Sequence, residues 1–265
     1  MIGFLVNAIK IIVLLGFLVF IHEGGHFLIA KLFKIKVNEF AIGFGPTIFT
    51  KEKGETKYAL RLIPLGGFVS MEGEEERSDK EGSFSMASIP KRIAIVAAGG
   101  IVNIIFGVLI YYIISSIAFH SMYSGIIDTK DFILSIFESI KLLFTGNISV
   151  NQMTGIVGIS DIVVSTNGIM QYLYIMALIS VSLGITNLLP FPPLDGGKIV
   201  IYIIEWIRRK PMKENTELKL QTIGFYILIA LSIYVTYNDI TRIFWSIWGR
   251  SENKSKLTHL VTGPK

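Results

Sequence analysis

The sequence predicts a polytopic α-helical membrane protein with about four transmembrane helices and a membrane-associated β-hairpin or small sheet between the first two. The first reason is composition, because 51% of the 265 residues are hydrophobic and the mean hydropathy is +0.59. The second is the presence of four apolar segments, each long enough to cross a hydrocarbon core about 30 Å thick. The third is an alternating stretch at residues 36–70. Such a chain is not expected to form a soluble domain around one core.

The first predicted span, residues 3–33, contains polar side chains in an ordered pattern. His22, Glu23 and His26 form an H-E-x-x-H motif. On a helix the two imidazoles project from one face, where they can share a metal ion, and Glu23 is a candidate base for the attacking water. Because such groups are costly at membrane depth, they are functional candidates. The alternative is a chance match in which both histidines are satisfied core residues.

Residues 36–70 are predicted to form a β-hairpin. Side chains alternate between two faces over residues 58–63, which is the period of a strand. A turn is expected at Gly54, between Lys53 and Glu55. An ordinary cytoplasmic loop is the alternative interpretation. An apolar hairpin can approach membrane depth only where protein or a water-filled cavity satisfies its backbone.

The remaining predicted spans are residues 93–119, 171–189 and 223–248, and each is long enough to cross the bilayer. Residues 131–144 are too few for a further span. Their polar side chains fall roughly on one helical face, which is typical of an amphipathic helix lying on the outer membrane interface. The sequence contains no internal repeat.

Lysine and arginine are unevenly distributed among the predicted connections. They are frequent at residues 31–92 and 198–219, whereas only Lys130 and Lys141 lie between residues 120 and 170. The positive-inside rule therefore predicts that the first and third connections are cytoplasmic, that the active site faces the cytoplasm and that both termini lie outside. Basic residues after the fourth span oppose this assignment. No basic-aromatic pattern indicates nucleic acid as a partner.

A catalytic zinc site commonly takes three protein ligands and leaves one position open. The chain has no cysteine, so the ligands must be histidine or carboxylate. His120 and His259 lie at the outer end of the second span and in the tail, away from the motif. Asp195 follows a proline-rich break after the third span, a backbone arrangement that is acceptable at membrane depth where it lines a cavity. Asp195 is therefore the predicted third ligand, and the alternative is that it caps the following helix.

Two motifs in order on two spans make the chain resemble bacterial site-2 proteases, the intramembrane zinc metalloproteases of the RseP/RasP type. One is His22-Glu23-x-x-His26, and the other is Asn187-x-x-Pro190-x-Pro192-x-x-Asp195-Gly196. The resemblance covers nearly the whole chain. It implies a zinc-dependent endopeptidase of the bacterial inner (cytoplasmic) membrane. Its partners would be the lipid bilayer and a transmembrane protein or peptide substrate, cut in regulated intramembrane proteolysis, for example an anti-sigma factor or a signal-peptide remnant.

The resemblance also implies roles for individual residues. Zinc would be held by His22, His26 and Asp195, and Glu23 would be the catalytic base. Asn187 is the candidate for hydrogen bonding to the substrate backbone or the oxyanion, with a helix-packing role as the alternative. In the family, the segments that resemble Gly43-Phe44-Gly45 and Pro64-Leu65-Gly66-Gly67 form a hairpin that holds the substrate as an added strand. Gly66, Gly67 and Pro190 are therefore candidate substrate-binding residues.

The chain departs from the family pattern in two respects. The family usually has proline where Gly100 and Ile156 stand. Close relatives also carry one or two PDZ domains between the second and third spans, where this chain has only about 50 residues, 120–170. We therefore expect a single protease domain over residues 1–265 with no PDZ domain. The competing function is a transporter or ion pathway built from intramembrane His, Glu and Asp.

Overall fold

The structure, a computed structural model, describes residues 2–74, 76–145 and 154–261. Most of them are helical, and the sheet lies between the first two helices. In chain order the elements are α1 Ile2–Leu32, β1 Val37–Lys53, β2 Thr56–Met71, α2 Ile89–Ala118, α3 Met122–Phe144, α4 Ile156–Val164, α5 Ile169–Leu188, α6 Asp195–Arg208 and α7 Glu214–Val261.

Four helices are long and apolar enough to cross a membrane, as predicted. Their candidate spans are Leu5–Leu32, Ile89–Ala118, Ile169–Leu188 and Glu214–Trp245. Large apolar side chains remain exposed along their outer faces, an arrangement that suits lipid rather than water. The chain is therefore a multi-pass membrane protein.

α2 and α7 begin several residues before the predicted spans. α2 begins at Ile89 instead of residue 93, because Pro90 occupies the first turn, where a missing N–H costs nothing. α7 begins at Glu214 instead of residue 223, and Glu214 and Glu217 supply negative charge to its first turn. Both extensions are polar, so hydropathy alone does not reveal them.

The predicted hairpin is present but forms a wider sheet than a simple two-stranded ribbon. β1 and β2 turn at Gly54, which has a φ of +64°. The first half of β1 lies between two parts of β2, so that Phe40 is paired with Tyr58 on one side and with Val69 on the other. Within the described ranges, no strand pairs with the outer side of residues 67–71. This segment, which we call the free edge, is therefore open to a further strand.

α2 is the central helix and packs against α1, α3, α5 and α6. Small residues make the approach possible: a Cβ on Gly107 would lie 2.7 Å from the carbonyl oxygen of Ala177, and a Cβ on Gly184 would lie 2.4 Å from that of Gly100. Close crossings of this kind are typical of helices packed within membranes.

α3 is longer than the predicted interfacial helix at residues 131–144, and it folds back along α2. Phe132 stacks on Tyr111 with the ring centroids 3.9 Å apart. Ser115 donates a hydrogen bond to Asp128 at 2.7 Å. These contacts bury one face of α3 against protein, a partner that the amphipathic pattern alone does not identify.

Candidate metal-dependent active site

α1 carries both histidines of the H-E-x-x-H motif on the face that meets α2. His22 and His26 are buried, and their Nε2 atoms are 3.3 Å apart. The neighbouring surface of α2 consists of glycine backbone: a Cβ on Gly99 would lie 2.3 Å from Nε2 of His26. A Cβ on Gly25 would lie 2.6 Å from the carbonyl oxygen of Ala98. The close crossing of α1 and α2 therefore depends on these two glycines.

Asp195 reaches the same place from the break that follows α5. Prolines within residues 190–193 prevent the helix from continuing. A Cβ on Gly196 would lie 2.2 to 2.3 Å from the carbonyl oxygens of Leu188 and Leu189, so the chain can turn closely there only because this residue is glycine. The N-cap of α6 is Leu194, and Asp195 is the first helical residue. The carboxylate of Asp195 points to the imidazoles and does not occupy the N-cap position.

The three candidate ligand atoms fit a zinc ion. Oδ2 of Asp195 lies 3.2 Å from Nε2 of His22 and 3.5 Å from Nε2 of His26. Zinc bonds of about 2.0–2.1 Å in a tetrahedron place neighbouring ligand atoms roughly 3.3 Å apart. Oδ2 of Asp195 is also buried without a well-aligned hydrogen bond, a costly state unless a cation compensates it. The three side chains therefore form a His-His-carboxylate group that could hold a metal ion.

Neighbouring charges and a hydrogen bond influence the protonation of two of these candidate ligands, Asp195 and His26. Burial alone would raise the pKa of Asp195, but the neighbouring His22 and His26 lower it below its ordinary value, so the carboxylate is ionised. Nδ1 of His26 lies 2.8 Å from the backbone carbonyl oxygen of Ile95. Since a carbonyl can only accept, His26 carries its proton on Nδ1, and the lone pair of Nε2 is available to a metal.

Glu23 and the ligands border a cavity of about 190 Å³. The free edge of β2 forms one wall of this cavity. A Cβ on Gly67 would lie 3.1 Å from Cγ of Glu23, so glycine lets the strand approach the candidate base. The lining residues are His22, Glu23, His26, Phe68, Val69, Met71, Glu74, Val96, Asp195 and Lys198.

Two charged residues of this cavity were missed by sequence reasoning. Lys198 forms an ion pair with Glu74 at 2.9 Å. Burial alone would lower the pKa of Lys198, but the charge of Glu74 raises it above its ordinary value. In the sequence, residues 72–82 are a mostly acidic, polar run of the kind typical of a solvated loop, and nothing in that run distinguishes Glu74. The spacing of Lys198 from Asp195, one helical turn, was the available signal.

The other predicted site residues lie at varying distances from this cavity. Asn187 is half-buried in the last turn of α5, and Pro190 is exposed just beyond it; neither is among the residues that line the cavity. Gly66 adopts a φ of +136° against the ring of Phe44. His120 is exposed at the far end of α2. The side chain of His259 lies outside the described residues.

Comparison with known proteins identifies the family. The family model of peptidase family M50 matches residues 10–231. The putative zinc metalloprotease CA_C1796 of Clostridium acetobutylicum is 27% identical over 329 residues, covering 88% of this chain and 97% of that protein. Zinc metalloprotease RasP of Bacillus licheniformis is 25% identical over 416 residues, covering 90% and 99%. RasP of Shouchella clausii is 24% identical over 410 residues, covering 88% and 98%.

These alignments extend over more positions than the 265 residues of this chain, so the relatives contain residues that it lacks. The match to the family model nevertheless covers both the H-E-x-x-H motif and Asp195. The resemblance seen in the sequence is confirmed, and zinc is the metal named for the relatives. The chain belongs to peptidase family M50 and is a zinc-dependent metalloprotease.

Proposed function

We propose that this protein is an intramembrane endopeptidase of the site-2 type that cleaves transmembrane protein substrates in regulated intramembrane proteolysis. The observation that carries the proposal is the depth of the metal ligands. His22 and His26 lie inside the candidate span Leu5–Leu32. With about 1.5 Å of rise per residue, they lie roughly 9–15 Å from the end of the span at Leu32. A protease built for soluble substrates has no need for such a location.

His22, His26 and Asp195 would hold zinc, which when bound polarises the scissile carbonyl and lowers the pKa of a coordinated water towards about 7. Glu23 takes a proton from the attacking water and later delivers it to the leaving amine. The cavity is lined by protein on several sides, so the charges act in a medium of low dielectric constant, where they are strong.

The substrate would be held as a strand added to the free edge, residues 67–71. Every carbonyl in a substrate helix is already hydrogen-bonded, so the helix must unwind before attack. Backbone pairing to the free edge keeps the unwound segment extended. Gly67 supports this role because it brings the edge within contact of Glu23. Asn187 and Pro190, at the end of α5 close to the break that carries Asp195, would contact the substrate backbone.

We infer that the site opens to the cytoplasm and that both termini lie outside the inner membrane. Glu74 and Lys198 supply a polar wall to the cavity. Both belong to connections that the positive-inside rule assigns to the cytoplasm. Water would reach the metal along this wall. Membership in a peptidase family leaves the transporter alternative without support.

The test is cleavage of a transmembrane peptide by purified protein in lipid vesicles, followed by mass spectrometry of the products. We expect cuts within or next to the apolar segment, lost on chelation and restored by zinc. Glu23→Gln should abolish cleavage while zinc stays bound, because the amide keeps its size but accepts no proton. His120→Ala, at an exposed histidine, is the control and should cut normally. Near-normal turnover by Glu23→Gln, or cleavage of soluble peptides alone, would contradict the proposal.

A further inference from the structure

Asn103 is a buried polar residue next to the metal site that the chemistry above does not use. It lies on α2 with an exposed fraction of 0%. Its side-chain amide nitrogen, as placed, lies 3.4 Å from Nδ1 of His22, while its oxygen Oδ1 is buried without a hydrogen-bond partner. One of the two amide atoms thus faces the imidazole, and the other is buried without a partner.

The placement has a consequence for the protonation of His22. If the amide nitrogen of Asn103 donates to Nδ1, then the imidazole proton must be on Nε2, the atom that faces His26 and Asp195. A protonated Nε2 cannot bind a metal ion. The oxygen and nitrogen of an asparagine amide are nearly identical in size and shape, so their assignment follows from the surrounding hydrogen bonds. Turning the amide by half a rotation brings Oδ1 to Nδ1.

We propose that Asn103 is a positioning residue for the metal site. Its side-chain oxygen accepts a hydrogen bond from Nδ1–H of His22, which fixes the ring and leaves the lone pair of Nε2 free for zinc. Histidine ligands in zinc proteins generally need such a partner for the second nitrogen. The inference rests on the proposed metal ligands and adds a residue that orients one of them.

The two histidines are then held by different means. His26 donates to the backbone carbonyl of Ile95, a partner that no substitution removes. His22 depends on a side chain, so a single substitution can remove the hydrogen bond that orients its ring. Asn103 is itself anchored, because its backbone oxygen accepts a hydrogen bond from Ser180 of α5 at 2.8 Å.

Ser180 provides the matched control. It is fully buried and lies in the same contact between α2 and α5, but it contacts the backbone of Asn103 and not the imidazole. Ser180→Ala therefore removes a buried hydrogen bond next to Asn103 without removing the acceptor for His22. In Asn103→Leu the new side chain has a similar shape but cannot accept a hydrogen bond, whereas in Asn103→Asp an acceptor oxygen remains.

The experiment measures zinc affinity of the full chain in detergent micelles by competition with a chromophoric chelator, with circular dichroism as the check on folding. We expect Asn103→Leu to bind zinc ten- to a hundredfold more weakly. Asn103→Asp should stay within a few-fold of the unsubstituted protein, and so should Ser180→Ala. Wild-type affinity in Asn103→Leu, or equal losses in the Leu and Asp variants, would overturn the inference.

A second measurement does not depend on how the variants fold. In zinc-loaded protein labelled with ¹⁵N-histidine, the nitrogen shifts of His22 should report a proton on Nδ1 and a metal on Nε2. The reverse assignment would overturn the inference. Both readouts are independent of cleavage, so a failure of the proposed intramembrane activity leaves them interpretable. A protein that binds no zinc at all would refute the metal site and this inference together.

Discussion

At the scale of single residues, the candidate site depends on the absence of a side chain at Gly99 of α2 as much as on the candidate ligands. The imidazole of His26 occupies the space in which any side chain on Gly99 would lie. Gly24, on the adjoining turn of α1, has open space around its Cα. The two glycines therefore have different physical roles, because only Gly99 lies against the neighbouring helix.

Gly99→Ala should lower zinc affinity by at least tenfold, because the added methyl group would overlap Nε2 of His26 and displace a ligand atom. Gly24→Ala is the control and should bind zinc normally, since nothing lies within 4 Å of the added atom. Both affinities can be measured by chelator competition in micelles. Equal zinc binding by the two variants would mean that the imidazoles do not pack against α2 as described.

Asp195→Ala should reduce both zinc content and cleavage, since it removes the only carboxylate among the three candidate ligands. His120→Ala should change neither quantity. Metal analysis of the purified proteins decides between the roles discussed for Asp195. Full zinc content with a loss of thermal stability would favour a role in starting α6.

At the scale of elements, the sheet and α6 meet at the cavity through the Lys198–Glu74 ion pair. Glu74 follows β2, and Lys198 is one turn beyond Asp195 on α6. The pair joins the element that would bind substrate to the helix that carries the candidate third ligand. Neither helix propensity nor strand alternation relates these two positions.

Lys198→Met should destabilise the protein by about 1–3 kcal/mol, because the side chain of Glu74 would be left in a mostly buried position without its partner. The double variant Lys198→Met, Glu74→Met should recover part of that loss, since no unpaired charge remains. Unfolding free energies in micelles provide the measurement. Strictly additive losses would show that the ion pair contributes no coupling.

Strand addition at the free edge predicts different effects of backbone and side-chain changes. Phe68→Pro and Val69→Pro each remove one backbone N–H group of the free edge. The variant that loses the N–H group facing away from β1 should cleave much more slowly while its zinc content is unchanged. Val69→Thr keeps both the backbone and the shape of the side chain, so it should cut within a few-fold of normal. An equal loss in Val69→Thr would argue against backbone pairing.

At the scale of the whole molecule, this chain is shorter than its relatives, whose alignments include residues that it lacks. Between α2 and α5 the structure describes α3 and the short α4. α3 packs against α2 and does not stand apart as a separate domain. Selection of substrates would therefore take place mainly at the membrane and at the cytoplasmic face.

A series of substrates that differ only outside the membrane tests this expectation. Peptides with short outer tails should be cleaved fastest, and a folded module attached outside should slow cleavage by steric conflict with α3 and α4. The matched control carries the same module on the cytoplasmic end. Equal rates throughout the outer series would mean that no size filter remains on that side.

The sequence by itself determined the features that follow from local periodicity and composition. Four spans follow from hydropathy, the turn at Gly54 follows from its residues, and His22 and His26 share a face because a helix repeats every 3.6 residues. Covalent geometry fixes these relations within a few residues, so they need no knowledge of the fold. Asp195 was selected as a ligand from its setting, but its distance from the histidines was not available from the sequence.

Only the tertiary structure decided which distant groups meet. Asp195 reaches His22 across more than half of the chain, Lys198 finds Glu74, and Asn103 lies beside an imidazole on another helix. These contacts depend on close crossings of α1, α2 and α5 and on a break whose direction is set by packing. The sequence pattern of each helix records that one face is buried, but it does not record which partner that face meets.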